Sequence, residues 1–198
     1  LAPAADVIAL VGVFAVARVF SALAAMDTGT AFGGLGARRE MFIGALAEPA
    51  MLIVFFNLSL ISQSTSLTTI VETLAHKNFM IHPSLAFASV AFLMVLLAEN
   101  ARIPVDNPAT HLELTMIHEA MILEYSARHL ALIEWAGAIK LLAYFAIGIA
   151  LFVPWGIAEA GNWALLPVAL AALLAKLALG GLGLALLETV SAKMRLLR

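Results

Sequence analysis

The chain contains no cysteine among its 198 residues. This absence excludes disulfides, thiolate-bound zinc and ordinary iron–sulfur clusters within these residues. Charge is also scarce: Asp, Glu, Lys and Arg make up 12% of the residues, whereas soluble domains carry about 25%. A water-soluble fold of this size would have too few polar groups to cover its surface.

Long apolar runs take the place of charge. Hydrophobic residues make up 63% of the chain, and the mean hydropathy is +1.02. A helix needs about 20 mostly apolar residues to cross a bilayer, and the runs that meet this requirement are 4–26, 41–61, 79–98, 130–153 and 163–187. Barrel strands would alternate apolar and polar residues, and these runs do not. The predicted fold class is therefore all-α, a polytopic transmembrane helix bundle with five spans.

The first apolar run is interpreted as a span, because it lacks the basic start and the cleavage site of a signal peptide. Basic residues then predict orientation. Alternate loops and the tail hold Arg38, Arg39, Arg102, Arg128, Lys193, Arg195 and Arg198, whereas the opposite loops hold only Lys77. Since cytoplasmic loops are enriched in Lys and Arg, residues 27–40, 99–129 and the C-terminal tail are expected to face the cytoplasm of a prokaryotic cell.

Several ionisable residues lie inside the spans or at their ends: Arg18, Glu48, Glu134, Lys140, Lys176 and Glu188. A charge near the bilayer centre costs roughly 2.5–3.5 kcal/mol, so such side chains normally face protein or a wet cavity. An ion path, interhelical pairing and snorkelling stay open for Arg18, Glu134 and Lys176. Glu48 indicates function more strongly, because Pro49 follows it and frees a backbone carbonyl. Lys140 is also deep in its span.

Residues 99–129 contain the densest chemistry of the chain. Their ionisable side chains are Glu99, Arg102, Asp106, His111, Glu113, His118, Glu119, Glu124, Arg128 and His129. Pro104 and Pro108 break a helix at the start of the segment, and a helix is expected over residues 109–128. In that helix Glu113 and Glu124 would lie on one face. Its two opposite apolar faces indicate packing between protein elements rather than a position on the bilayer surface.

Other kinds of site are not supported by the motifs. His118-Glu119 begins like a zinc-protease helix, but no histidine follows at the required spacing. Residues 33–36 resemble a phosphate loop only in glycine content, and they are expected to form a turn. No metal site and no cofactor site is predicted in this chain, and nucleic acid is not an expected partner.

The sequence 99–108, ENARIPVDNP, resembles the signature loop of a membrane protein shared by respiratory complex I and membrane-bound [NiFe]-hydrogenases. In complex I this is the quinone-site membrane subunit of NADH-quinone oxidoreductase. Residues 26–36, Glu48-Pro49 and the Glu-Tyr-Ser triplet at 124–126 match as well, so the resemblance covers essentially the whole chain. Residues 107–119 are similar to the group 4 hydrogenase branch, of the hydrogenase-4 component C and formate hydrogenlyase subunit 4 type. Ala109 and His111 stand where the quinone-type branch carries glutamates.

The resemblance implies an eight-helix subunit, so the single transmembrane domain of residues 1–198 is expected to lack two helices at its start and one at its end. It also implies a non-catalytic subunit that anchors the peripheral redox arm and links it to a lateral proton pathway. Glu99, Arg102, Asp106, Glu113 and Glu124 would line the cytoplasmic cavity formed by residues 99–129, or its exit, and Glu48 would continue the path inside the bilayer. Lys140 is added to these residues because of its depth in its span.

The implied partners are the hydrogenase large and small subunits or their complex I counterparts, iron–sulfur subunits and antiporter-like membrane subunits. These partners, and not this chain, would hold the [NiFe] centre and the iron–sulfur clusters. Three alternatives stay open: the quinone-site subunit of NADH-quinone oxidoreductase, a stand-alone secondary transporter, for which inverted repeats would be expected, and a passive anchor. The identity of the coupling ion, H⁺ or Na⁺, its direction and the electron donor are also open.

Overall fold

The computed structural model describes residues 6–76, 83–102, 106, 117–156 and 165–191. Within these ranges the chain is helical, with no strand beyond an isolated bridge between Asp6 and Ser66. The helices are α1 (Val7–Asp27), α2 (Ala31–Ser62), α3 (Leu67–His76), α4 (Pro83–Glu99), α5 (His118–Ile122), α6 (Ala127–Phe152) and α7 (Leu166–Ser191).

The predicted all-α membrane bundle is confirmed. Helices α1, α2, α6 and α7 contain 21 to 32 residues and are long and apolar enough to cross a bilayer. The third apolar run, residues 79–98, corresponds to α4, which has only 17 residues. At 1.5 Å per residue α4 is ~25 Å long, less than the ~30 Å of a hydrocarbon core. Its last residue, Glu99, is correspondingly buried in the bundle rather than free in solvent.

The loop expected over residues 27–40 is wrong, because α2 begins at Ala31 and already contains the glycines at 33–36. The connection from α1 is only three residues long, from 28 to 30. Thr30 caps the new helix by accepting a hydrogen bond at Oγ1 from Gly33 N, at 3.2 Å, and Gly29 makes the turn with φ +67°. The turn expected over the glycines is therefore helical, and the actual turn precedes them.

The helix expected over residues 109–128 is wrong at its C-terminal end, whereas residues 109–116 lie outside the described residues. Helix α5 ends at Ile122, and α6 begins at Ala127, which has a left-handed φ of +49°. Tyr125 fixes this break, since its hydroxyl donates to Ala24 O of α1 at 3.0 Å. Apolar periodicity contains no signal for such a tertiary contact. Glu124 consequently lies in a turn and not in a helix.

Two apolar cores lie at different heights of the bundle. The larger core joins the start of α1, the second half of α2, α3, α4 and the end of α6, and includes Leu58 and Ile70, both fully buried. The smaller core packs Met121 of α5 against small residues of α1 and α2, Ala22, Ala25 and Ala37. Arg18, Glu48 and Lys140, three of the ionisable residues of the spans, lie between these two cores.

Candidate functional site

Arg18, on α1, is the centre of a buried charge cluster. Only 5% of this residue is exposed. Its Nη1 donates to Glu48 Oε1 of α2 at 2.7 Å, its Nη2 donates to Glu99 Oε1 of α4, and its Nε lies 3.8 Å from Glu40 Oε1 of α2. A guanidinium out of water is tolerated when its rigid fork of donors faces carboxylates in this way.

Lys140 completes the cluster from α6. Its Nζ donates to the backbone carbonyl of Glu99 at 2.6 Å and lies 3.1 Å from Glu99 Oε2. The last carbonyls of a helix lack intrahelical partners, so the ammonium satisfies the C-terminus of α4. Glu99 Oε2 has no hydrogen bond within the described part of the chain, so its contact with Lys140 is an ion pair only. We name Arg18, Glu40, Glu48, Glu99 and Lys140 the Arg18 cluster.

The Arg18 cluster has an excess of carboxylates. Its three glutamates and two basic residues sum to −1 when all are ionised. An uncompensated charge is costly away from water, and a bound cation such as a proton removes that cost. The side chain of Glu48 is 34% exposed, whereas that of Glu99 is 2% exposed. The cluster can therefore hold one exchangeable cation, with Glu48 as its most accessible carboxylate.

Gly44 of α2 makes room for Arg18. A Cβ at Gly44 would lie 2.8 Å from Arg18 Cδ and closer still to Nη1. The residues Gly36, Glu40, Gly44 and Glu48 recur at four-residue intervals, which places them along one stripe of α2. Sequence reasoning missed Glu40 because it assigned residues 27–40 to a loop, and it gave no role to Gly44, which lies inside the predicted span 41–61. The four-residue spacing is the signal by which both residues were identifiable.

The structure brings together only some of the predicted site residues. Glu48, Glu99 and Lys140 meet in the Arg18 cluster. Arg102 instead pairs with Glu188 of α7, at 3.1 Å between Nη1 and Oε1. The side chain of Glu124 is exposed and has no ion pair among the described residues. Glu113 lies outside the described residues.

Asp106 is buried and holds the start of α5. Its Oδ2 accepts hydrogen bonds from Ile117 N at 3.2 Å and from His118 N at 3.0 Å. Such a carboxylate satisfies the free N–H groups of a helix N-terminus. It also lies within electrostatic range of Glu40. Asp106 thus anchors α5 at the edge of the Arg18 cluster without touching Arg18.

His118, the first residue of α5, lies outside the membrane-spanning helices. Burial lowers the pKa of its imidazole, and Lys140 lowers that pKa further, while Asp106 and Glu119 oppose the shift. Desolvation disfavours the charged form of a histidine, so His118 is largely neutral near pH 7. Sequence reasoning counted this histidine among the ionisable residues of 99–129 and rejected it as a zinc ligand. Among the described residues, no group of three or more His, Asp or Glu side chains is placed to hold a metal ion.

Lys176 of α7 has a structural contact rather than a place in the Arg18 cluster. Its Nζ donates to Val153 O at 2.7 Å and to Trp155 O, and lies 5.1 Å from the centre of the Trp155 ring. The ammonium therefore satisfies carbonyls at the end of α6, as Lys140 does at the end of α4. Glu134, in contrast, is exposed on α6.

Comparison with known proteins supports the resemblance inferred from the motifs. The family profile described as NADH dehydrogenase matches residues 1–197. Formate hydrogenlyase subunit 4 of Escherichia coli (strain K12) is 31% identical over 191 residues, which cover 96% of this chain and 61% of that protein. Hydrogenase-4 component C of the same organism is 35% identical over 175 residues, 88% of this chain and 54% of that protein.

The chain thus spans a little over half the length of these two curated relatives. Its apolar helices and its relatives indicate a multi-pass membrane protein. Because the profile covers nearly every residue, the chain belongs to the NADH dehydrogenase family.

Proposed function

We propose that this chain is the ion-translocating membrane component of a complex I-like [NiFe]-hydrogenase. The observation that supports this proposal best is the Arg18 cluster, with its excess carboxylate buried where four helices meet. A passive anchor has no need of this arrangement, because well-packed hydrophobic residues can replace a whole buried ion pair with little or no loss of stability. The similarity to two hydrogenase membrane components favours the hydrogenase branch.

The geometry suggests how redox chemistry and ion movement are coupled. Arg18 contacts Glu48 and Glu99 at once, and Glu99 ends α4 where the segment containing Arg102 and Asp106 begins. A movement of that segment would change the balance of the two contacts. Cation uptake at Glu48 would also shift the balance between the Arg18–Glu48 and Arg18–Glu99 contacts, because a ligand favours the state that it binds better. The chain acts by positioning charge, and the redox centres belong to its partners.

The proposed partners are the large and small hydrogenase subunits, iron–sulfur subunits and antiporter-like membrane subunits. The [NiFe] centre and the iron–sulfur clusters would lie in those subunits. The loops facing the peripheral arm would be cytoplasmic, as the distribution of basic residues predicts.

The direct test is Glu48→Gln in the intact complex, reconstituted in vesicles. This change keeps the size of the side chain and removes its charge. We expect ion movement to fall by about tenfold or more, the scale at which loss of a proton-transfer group is felt, while hydrogen-dependent dye reduction stays near its normal rate. Glu134→Gln is the matched control, because Glu134 is also on a spanning helix but is exposed. Equal loss of both activities, or undiminished ion movement, would contradict the proposal.

The match to the NADH dehydrogenase profile favours a second candidate, a quinone-linked component of a complex I-type enzyme. Metal analysis of the purified complex separates the two candidates. Nickel with hydrogen-dependent dye reduction supports the hydrogenase. Flavin and NADH oxidation without nickel support the quinone-linked enzyme.

A further inference from the structure

One stripe of α2 connects α5 to the Arg18 cluster. Gly36, Glu40, Gly44 and Glu48 follow one another along the helix at ~6 Å intervals. Helix α5 packs on Gly36, where a Cβ would lie 2.8 Å from Ile117 O and 2.9 Å from Met121 Cγ. Arg18 packs on Gly44. Glu40 therefore lies between the contact of α5 and the contact of Arg18.

His118 is held next to this stripe. It follows Ile117 directly, and its backbone N–H is fixed by Asp106 Oδ2 at 3.0 Å. His118 and Met121 are three residues apart on α5, so they lie on the same side of the helix. The imidazole is within electrostatic range of Lys140 and Asp106, which also act on Glu40. Among the described residues, the hydrogen bond to His118 involves its backbone N–H and not its ring.

We propose that His118 is the proton-transfer residue that loads the Arg18 cluster by way of Glu40. The inference rests on the proposed function and adds to it that the coupling ion is H⁺. The ring accepts a proton from water on one nitrogen and donates the proton of its other nitrogen to the Glu40 carboxylate. The ring is neutral again after this transfer, proton exchange with water restores its starting tautomer, and no other bond changes. The proton on Glu40 then neutralises the excess carboxylate of the Arg18 cluster, while Arg18 stays charged and in contact with Glu48 and Glu99.

The electrostatic surroundings of His118 suit this step. Lys140 acts on it from α6, Arg102 and Asp106 from the segment after α4, and Glu119 from its own helix. Burial and the two cations keep the ring neutral, which is the form that can accept a proton. The carboxylates nearby attract the proton onward and limit the lowering of the pKa.

The test compares His118→Gln with His129→Gln in the reconstituted complex. His129 is an exposed histidine on the first turn of α6 and is the matched control. We expect His118→Gln to lower proton movement by about tenfold or more, with hydrogen-dependent dye reduction within about twofold of normal. Imidazole added to the medium should restore part of the lost proton movement. It would restore none if the variant had only a structural defect. His129→Gln should leave proton movement unchanged.

The pH profile gives a second readout. In the unmodified complex, proton movement should decline as the pH falls through the lowered pKa of His118, because the protonated ring cannot accept another proton. His118→Gln should remove this decline. If that variant does not assemble, Glu40→Gln takes its place and should show the same selective loss of proton movement.

The outcomes separate this inference from the proposed function. Uncoupling by Glu48→Gln together with normal proton movement in His118→Gln overturns the role of His118 alone. Sodium-dependent ion movement without proton uptake would likewise overturn the role of His118 alone. No effect of Glu48→Gln on ion movement overturns the proposed function and, with it, the role of His118.

Discussion

Glu48, Glu99 and Lys140 were identified from the sequence by different signals, and they meet around an arginine whose role the sequence left open. Arg18 pairs with the two glutamates because each helix places a charge at the same height. This pairing requires glycine at position 44, because no side chain fits between α2 and the Arg18 guanidinium. At the scale of single residues, the site thus depends on one small residue as much as on its charges.

Gly44→Ala should displace Arg18 and weaken its pairing with Glu48. Overpacking of a filled interior costs about 1–3 kcal/mol, more than the ~1 kcal/mol that alanine gains over glycine in a helix. Thermal unfolding of the purified complex should therefore occur at a lower temperature, and ion movement should fall. Gly137→Ala is the control, since a Cβ at Gly137 meets nothing within 4 Å. Equal unfolding temperatures of the two variants would count against the close fit of Arg18.

At the scale of helices, two lysines share one role. Lys140 lies near the middle of α6 and satisfies the last carbonyl of α4, and Lys176 lies within α7 and satisfies carbonyls at the end of α6. In lipid a helix end cannot obtain these hydrogen bonds from water, and each unsatisfied group is expensive. A lysine within one spanning helix therefore marks the level at which its neighbour ends.

Lys176→Met should loosen the C-terminal turn of α6. Removing the donor deletes the hydrogen bonds that the Val153 and Trp155 carbonyls accept, each of which contributes about 0.5–1.5 kcal/mol. Hydrogen–deuterium exchange of residues 150–156 should accelerate, while exchange of the first turns of α6 stays unchanged. Lys176→Arg keeps the donors and should exchange more slowly than Lys176→Met. Protection of this turn in the methionine variant would show that Lys176 does not hold it.

At the scale of the whole molecule, the Arg18 cluster ties α1, α2, α4 and α6 together between two apolar cores. Neither core requires a charge to pack. The charges instead fix the relative height of the four helices, because each ion pair is satisfied at only one register. Loss of the central cation should consequently affect the assembly of the whole chain.

Arg18→Met should leave the three glutamates of the Arg18 cluster with Lys140 as the one remaining basic residue of that cluster. Breaking a buried ion pair costs about 3–5 kcal/mol, because the partner charge stays buried. We expect little of this variant in purified membranes. Adding Glu99→Gln to Arg18→Met should restore part of the yield, measured by quantitative immunoblotting of the membrane fraction. A yield of the double variant below that of Arg18→Met would show that charge balance is not the cause.

The sequence by itself determined the membrane class, the apolar runs that become α1, α2, α4, α6 and α7, and three members of the Arg18 cluster. These features depend on local composition, since hydrocarbon demands apolar side chains and self-satisfied backbone. The motifs also indicated the family.

Only the tertiary structure decided where α2 begins, where α5 ends, and which charges meet. The charges of Arg38 and Arg39 are typical of a loop, but both residues lie within α2. The turn before α2 is made by Gly29 and the helix cap by Thr30. Tyr125 ended the expected helix by reaching Ala24 on α1, which is 101 residues away along the chain. Such contacts join residues that are distant in sequence. Their energy depends on the register of packed helices, which no local pattern contains.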